Sequence, residues 1–393
     1  MGRSKTGHSI KGRINRINVN FNININRDKL TAILVISPSI LLLAVFIYGF
    51  IGQTIYNSLT DWGTSPAKPA LAPNVEIDFI GLKNYQSLFT GLLNERFRID
   101  LINTVFFTPV FVVVCLGLGL LMAILLDQKI RGESVFRTIF LFPMALSFVV
   151  TGTVWRWLFQ PNSGSNTLPT MIGLPALNFQ WFIDTNILLS FSWQEIVFCV
   201  GVIILLIMLF FLTSTNRRRT ARIYILVAFS LAAGLFIGGS LNLPASVAHE
   251  AHGLNIAVIA VVIAAAWQMS GYTMALYLAG LRGIPDELSE AARVDGCNEF
   301  QVYRYVVLPL LQPITLSAAI ILGHISLKIF DLVYIMAGGN NRQVDVPGVL
   351  MYITSFQGNN FAVGSAIAVI MLIMVAVIII PYLFSVLRTE SHT

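Results

Sequence analysis

The feature that most constrains this 393-residue chain is a series of long apolar runs without charge, the first of which extends from Leu30 to Thr60. About 20 apolar residues in a helix cross the hydrocarbon of a bilayer, and within it every backbone N–H and C=O has to be paired inside the segment. That rule places spans at about 31–57, 101–126, 138–159, 188–213, 223–243, 254–280, 312–336 and 362–386. The fold class is therefore an all-α integral membrane protein with about eight transmembrane helices. Hydrophobic residues make up 56% of the chain and charged residues only 11%, with a mean hydropathy of +0.76, so lipid rather than water is its main solvent. The first run is too long for a signal-peptide core and ends in no small-residue cleavage site, which makes it an uncleaved first span.

The net charge of +6 does not point to nucleic acid, because lysine and arginine are spread between the apolar runs instead of forming a patch with interleaved aromatics. Their placement sets orientation. With the N-terminus inside, the inner segments hold Arg3, Lys5, Lys11, Arg13, Arg16, Arg27, Lys29, Lys129, Arg131, Arg137, Arg217, Arg218, Arg219, Arg222, Arg282, Arg293, Arg304 and Arg388. The outer segments hold only Lys68, Lys83, Arg96, Arg98 and Arg342. Eighteen against five is the positive-inside asymmetry of an even number of spans with both termini cytoplasmic. The expected organisation is a basic cytoplasmic tail over 1–29, a transmembrane domain over 30–386 and a short tail over 387–393. Cys115 and Cys199 lie in apolar runs and Cys297 stands alone in a polar segment, which supports neither a disulfide framework nor a zinc knuckle.

The longest polar inner stretch, 282–309, is patterned. Pro285 suits a first helical position, and Asp286 and Glu287 complement the positive end of a helix dipole. The helix should run to about Asp295 and end at Gly296 in a left-handed turn. Asn298 then caps a second helix with Phe300, Tyr303 and Val307 on one face, closed by Pro309. Two short helices meeting at a glycine are thus expected at the inner membrane face.

Here the chain resembles a known family. Glu290-Ala291-Ala292, three residues, Gly296, nine residues, Val306, one residue and Leu308-Pro309 match the EAA loop of binding-protein-dependent ABC importer permeases. Phe142-Pro143, Trp155-Arg156-Trp157-Leu158-Phe159, Ala279-Gly280-Leu281, Phe330-Asp331-Leu332-Val333-Tyr334, Gly338-Gly339 and Gly364-Ser365-Ala366 resemble its sugar-type, maltose-permease-like branch. The chain departs from that branch in having Asn340 where Gly-Gly-Pro ends, and in a two-helix insertion at about 187–253 around Arg217-Arg218-Arg219. The resemblance implies a coupling helix that docks in a cleft of a cytoplasmic ATPase, with Glu290, Ala291, Ala292, Asp295 and Gly296 in that role. It also implies the partners: a second permease subunit, two ATP-binding subunits, an external solute-binding protein and a small-molecule solute, in a bacterial plasma (inner) membrane. No cofactor is expected in this chain; ATP and Mg belong to the partner ATPase, since no lysine here follows a glycine and a phosphate-cradling P-loop is absent.

Within the spans, His324, Lys328 and Asp331 are spaced i, i+4 and i+7, which on a continuous helix puts a costly polar stripe on one face near the midplane. One reading makes the stripe part of the solute pathway, with Phe330 and Tyr334 as stacking faces for a sugar; the other makes it a Lys328–Asp331 pair that locks helices together. Arg156 and Glu195 lie near the outer interface and are expected to snorkel. His249-Glu250-Ala251-His252 is shorter than a zinc-protease motif and has no third ligand in sequence. Gly364 and Ala368 suit close helix packing. A competing class, an ion-coupled secondary transporter, predicts interrupted helices and intramembrane carboxylates, of which only Asp331 qualifies well. A membrane enzyme lacks a clustered nucleophile, base or metal set. Disaccharide, α-glucoside, polyol, glycerol phosphate and glycosidic compatible solute are all open as solutes, with the absence of a basic cluster in the spans weighing against the phosphorylated one.

Overall fold

The computed structural model of the chain describes residues 27–64, 71, 76–90, 95–128, 131–183, 187–191, 252–339 and 341–390. It divides into two units, 1–53 and 54–393. In the first, α1 (Arg27–Leu43) contains Pro38 and continues through a π turn, Ala44–Gly49, into α2 (Phe50–Ser58), which crosses the unit boundary. The second unit continues with α3 (Lys83–Thr90), α4 (Glu95–Asp127), α5 (Glu133–Leu141), α6 (Phe148–Leu158), strands β1 (Ile187–Phe191) and β2 (His252–Asn255), and α7 (Ile256–Leu281). After these come α8 (Asp286–Val294), α9 (Glu299–Val302), α10 (Gln312–Leu327), α11 (Asp331–Ala337), α12 (Pro347–Tyr352) and α13 (Phe361–Glu390). Among the described residues four helices are long and apolar enough to cross a membrane, and two bent pairs raise the number to six. Five of the six coincide with expected spans outside the insertion; the sixth, Glu299–Leu310 with Gln312–Leu327 at a 64° bend, begins in the polar loop and only overlaps the expected 312–336 span. The insertion's own apolar runs, its arginines, Glu195 and His249 to Ala251 lie outside the described residues.

α7 sits at the centre. It is apolar all round and mostly buried, as a helix enclosed by other helices should be. Small residues set how closely its neighbours approach. A Cβ on Gly119 of α4 would stand 2.1 Å from Thr273 Oγ1, and that hydroxyl donates to the Cys115 carbonyl at 2.8 Å. On another side, a Cβ on Gly280 would meet Ile314 of α10, and Tyr277 shares a 3.0 Å hydrogen bond with Thr315. Gly364 of α13 lies against Ser355 in the same manner, which is the close packing expected of it.

Two expected spans are interrupted. The 138–159 segment breaks between α5 and α6, with a 98° bend. Pro143 lacks an N–H, the Phe142–Ala145 turn is 3₁₀, and Leu146 is extended with ψ 148°. The carbonyl freed at Leu146 accepts from the buried Gln268 Nε2 of α7 at 2.7 Å, which explains an amide in an otherwise apolar helix. Gly271, one turn on, leaves room for the Phe140 carbonyl, which a Cβ would approach to 2.1 Å. The 312–336 segment breaks at Lys328–Phe330, between α10 and α11, so His324, Lys328 and Asp331 do not share one continuous helix face as their spacing predicts. At that break Gly348 of α12 lies close under the Ile329 carbonyl, 3.1 Å from an added Cβ, and Phe330 has left the helical region at φ −135° and ψ −62°.

Besides an isolated antiparallel bridge between Thr60 and Phe79, the described residues depart from all-α structure where the expected 188–213 span begins. Ile187–Phe191 is a strand, paired antiparallel with His252–Asn255 in the register Ile187↔Asn255 to Phe191↔His252, with a bulge between Ile187 and Leu189. The ribbon therefore joins the two ends of the 192–251 stretch. It leads directly into α7, whose N-cap Asn255 accepts from Val258 N at 2.8 Å.

Buried polar groups knit the end of the fold that the charge asymmetry assigns to the outside. Arg96 pairs with Asp345 and donates to the Gly339 carbonyl, Asn103 Nδ2 donates to the Arg342 and Asp345 carbonyls, and Asn255 Nδ2 donates to the Gln343 carbonyl. Burial pushes the Asp345 carboxyl up to about 6 even with Arg96 beside it. Arg96, Asp100 and Asn103 lie on one face of α4, so Asp100 faces the same segment; it is wholly buried and neither of its oxygens has a hydrogen-bond partner. A buried acceptor left unmatched costs about 1–3 kcal/mol, more when charged. Asp100→Asn keeps the shape, removes the charge and supplies a donor. It is expected to raise the thermal stability of the purified chain in detergent by about 1–3 kcal/mol; a lower melting temperature would show that the carboxylate is a needed partner instead.

Candidate coupling loop and solute pathway

The inner loop folds largely as its residues dictate. Pro285 is the N-cap of α8, one position earlier than expected, and Asp286 and Glu287 occupy the first turn. Gly296 has φ +86°, a conformation that strains any side-chain-bearing residue. Around it Gly296 N donates to the Arg293 carbonyl and Cys297 N to the Ala292 carbonyl, both at 3.0 Å, the paired bonds of a Schellman C-cap. Asn298 and Gln301 then form a reciprocal capping box at 2.8 and 2.9 Å. Arg293 bridges the turn, bonding both carboxylate oxygens of Glu299 at 2.7 and 3.2 Å. That contact holds the guanidinium further toward its charged form, and it fixes α8 against α9.

The second helix differs from expectation. After four residues it opens into a π turn, Tyr303–Val307, which changes the angular step between side chains. Phe300 is consequently 78% exposed, whereas Val302 and Val307 are buried. On the preceding helix Val294 is 87% exposed, and Glu290, Ala291, Asp295 and Gly296 are also exposed, with Ala292 half-buried. The loop thus presents small and acidic groups flanked by two bare apolar side chains. Its underside is anchored: Ile284, Ala292, Cys297 and Tyr303 pack on a core of Ala123, Leu126, Met274, Tyr277 and Leu281. The sequence reading missed the exposure of Val294 and Phe300; a valine and a phenylalanine on either side of Gly296, in a polar stretch, were the available signal.

On the other side of the α10–α11 break lies the second candidate site. His324 is half-buried with Nδ1 unpartnered. Lys328 and Asp331 are both exposed, and among the described residues no ion pair joins them, so the pairing alternative is not the arrangement adopted. Phe330 stacks on Tyr334 with ring centroids 5.4 Å apart, and Tyr352 lies 5.0 Å from Phe330. The group extends to Phe356, 5.5 Å beyond, and Gln357 Nε2 donates to the Tyr334 hydroxyl at 3.3 Å. Tyr352, Phe356 and Gln357 escaped the sequence reading because 337–361 reads as an outer loop, although an aromatic pair at i, i+4 marked a helical turn there. Arg156 does more than snorkel: its Nη1 donates to the Ile335 carbonyl near the end of α11, at 3.4 Å. No group of three or more metal-ligating side chains occurs among the described residues.

Comparisons with known proteins agree with this geometry. The family model described as binding-protein-dependent transport system inner membrane component matches residues 115–390. A probable ABC transporter permease protein of Pyrococcus horikoshii is 34% identical over 362 residues, covering 92% of this chain and 97% of that one. The xylose/arabinose import permease protein of Haloferax volcanii is 28% identical, over 87% of this chain and 84% of its own. Among solved structures, a bacterial ABC transporter involved in the import of the polysaccharide alginate shares the fold, with TM-score 0.58 at 16% identity, covering 91% of this chain and 96% of that chain. The chain belongs to the binding-protein-dependent permeases, the multi-pass membrane subunits of ABC importers, in their sugar-type branch.

Proposed function

We propose that this subunit forms half of a pathway for a neutral or zwitterionic sugar-like solute and couples it to a separate ATPase through the 282–309 loop. The observation that carries the reading is the loop itself. Its turn is held by the Gly296 cap, the Asn298 box and the Arg293–Glu299 bridge, and it leaves Glu290, Val294 and Phe300 without cover. A rigid apolar-and-acidic knob on a membrane protein's inner end fits a cleft with an apolar floor and a basic rim. Relatives named for xylose/arabinose import, uptake of osmoprotective compounds and transport of starch degradation products support the solute class. A disaccharide, α-glucoside, polyol or glycosidic compatible solute suits the aromatic wall of Phe330, Tyr334 and Tyr352, with Lys328 and Asp331 as hydrogen-bonding partners at the helix break. The ion-coupled alternative gains an interrupted helix from the structure, yet the family match weighs against it.

The partners proposed are a second permease subunit, two ATP-binding subunits carrying ATP and Mg, and an external solute-binding protein. Reporters fused at Gly296 and Arg218 are expected to read cytoplasmic, and those at Asn162 and Asn340 external; an external reading at Arg218 would mean that the insertion does not cross the membrane twice.

Gly296→Asp forces a side chain into the left-handed region, at about 1–2 kcal/mol, and Glu290→Lys reverses a charge where a partner's basic rim should lie. Both are expected to leave the chain in the membrane, sharply reduce co-purification of the ATPase and abolish solute uptake. Normal ATPase recovery with normal uptake in both variants would remove the coupling assignment.

Loss of a charged hydrogen-bonding partner costs about 1.5–3 kcal/mol, so Lys328→Ala and Asp331→Ala should each lower uptake on the order of tenfold or more while the complex assembles. Unchanged uptake in both would take the helix break out of the pathway.

A further inference from the structure

At the inner end of the helices, three chain segments meet at one guanidinium. Arg282 is the C-cap of α7, and its backbone N–H donates to the Leu278 carbonyl, so it moves with that helix. Its Nη2 lies 2.7 Å from Glu133 Oε1 at the start of α5, and its Nε lies 3.7 Å from Asp127 Oδ1 at the end of α4. Arg137, one turn along α5, donates to the same Glu133 Oε1. Helix dipoles explain why a cation belongs here. Asp127 is the last residue of α4, where a negative charge opposes the negative end of the helix, and Arg282 at the end of α7 offsets it.

The connection from Arg282 to the exposed loop is short. Gly283 N and Ile284 N donate back to Gly280 and Leu281, both at 3.1 Å, and α8 starts at Asp286. Displacement of α8 is therefore delivered to Arg282 with little slack, and from there to α4 and α5. The apolar packing beneath the loop already supplies cohesion. Arg282 is 44% exposed, and exposed ion pairs add little to stability. What such a contact can do is hold one of two arrangements and let go cheaply.

We infer that Arg282 is a positioning residue for coupling: an inner latch that ties the start of α5 and the end of α4 to the coupling loop, so that movement of α8 is passed to the bent α5–α6 segment. This rests on the reading of that loop as the ATPase-docking element, and the test separates the two. The assembled permease–ATPase complex with its solute-binding protein is reconstituted in liposomes, and solute taken up is measured per ATP hydrolysed, together with ATPase recovery and thermal stability. Arg282→Gln and Glu133→Gln are each expected to lower the transport-to-hydrolysis ratio roughly threefold or more, with ATPase recovery unchanged and the melting temperature nearly so. Arg282→Lys, which keeps the charge, should recover most of the ratio. An unaltered ratio in both glutamine variants overturns the latch, as does an Arg282→Lys no better than Arg282→Gln. Loss of the ATPase from Arg282→Gln alone would also overturn it, making Arg282 a docking contact. Failure of the wild-type permease to bind any ATPase would instead defeat the underlying reading of the loop.

Discussion

The contact between α4 and α7 at Gly119 and Thr273 is the one on which the remaining helices depend. No hydrophobic force drives two apolar helices together in lipid, so close approach and interhelical hydrogen bonds have to do so. The absent Cβ of Gly119 admits the Thr273 side chain, whose hydroxyl bonds the Cys115 carbonyl rather than remaining an unmet polar group. With α4 seated there, α7 offers its other faces to the α5–α6 break through Gln268 and Gly271, and to α10 through Gly280 and Tyr277.

A second constraint follows from the same solvent. Backbone groups released at a helix break inside a membrane need a partner, and the two interrupted spans meet this need differently. Gln268 donates to the carbonyl freed at Leu146, which closes that break within the protein. At Lys328–Phe330 the neighbour is Gly348, which brings backbone close without supplying a donor side chain, and the adjoining Lys328 and Asp331 are exposed. Irregular backbone at membrane depth beside exposed polar side chains is what the proposed solute pathway requires at this break.

The two ends of the molecule are built on different chemistry. The end assigned to the outside is held by buried polar groups between α4 and the 338–346 segment, including a carboxylate with no donor at Asp100. The inner end is held by apolar packing beneath the loop and by half-exposed ion pairs around Arg282 and Arg293. Buried networks are costly to open, whereas exposed pairs are cheap, so rearrangement is easier at the inner end.

Much of this protein was legible in the residues alone. Apolar run length specifies spans because lipid leaves no other partner for the backbone, and five of the six outside the insertion coincide with long helices or a bent helix pair, the sixth overlapping a bent pair that starts in the polar loop. The loop was legible as well, since Gly296 and Asn298 act through their immediate neighbours: the left-handed turn and the capping box need nothing beyond a few residues. Spacing failed where distant contacts intervene. His324, Lys328 and Asp331 promised one helix face, but the break at Lys328–Phe330, packed under Gly348, parts them; the π turn after α9 likewise turned Phe300 outward. Tyr352 and Phe356 joined Phe330 only because α12 folds back on α11. Local sequence determined which segments enter the membrane and how the loop turns, because those depend on the solvent and on adjacent residues. Where helices break, and which side chains then meet, was decided by tertiary packing: a carbonyl freed at Leu146 persists because Gln268 donates to it, and the chain can part at Lys328–Phe330 because Gly348 leaves room beside the Ile329 carbonyl.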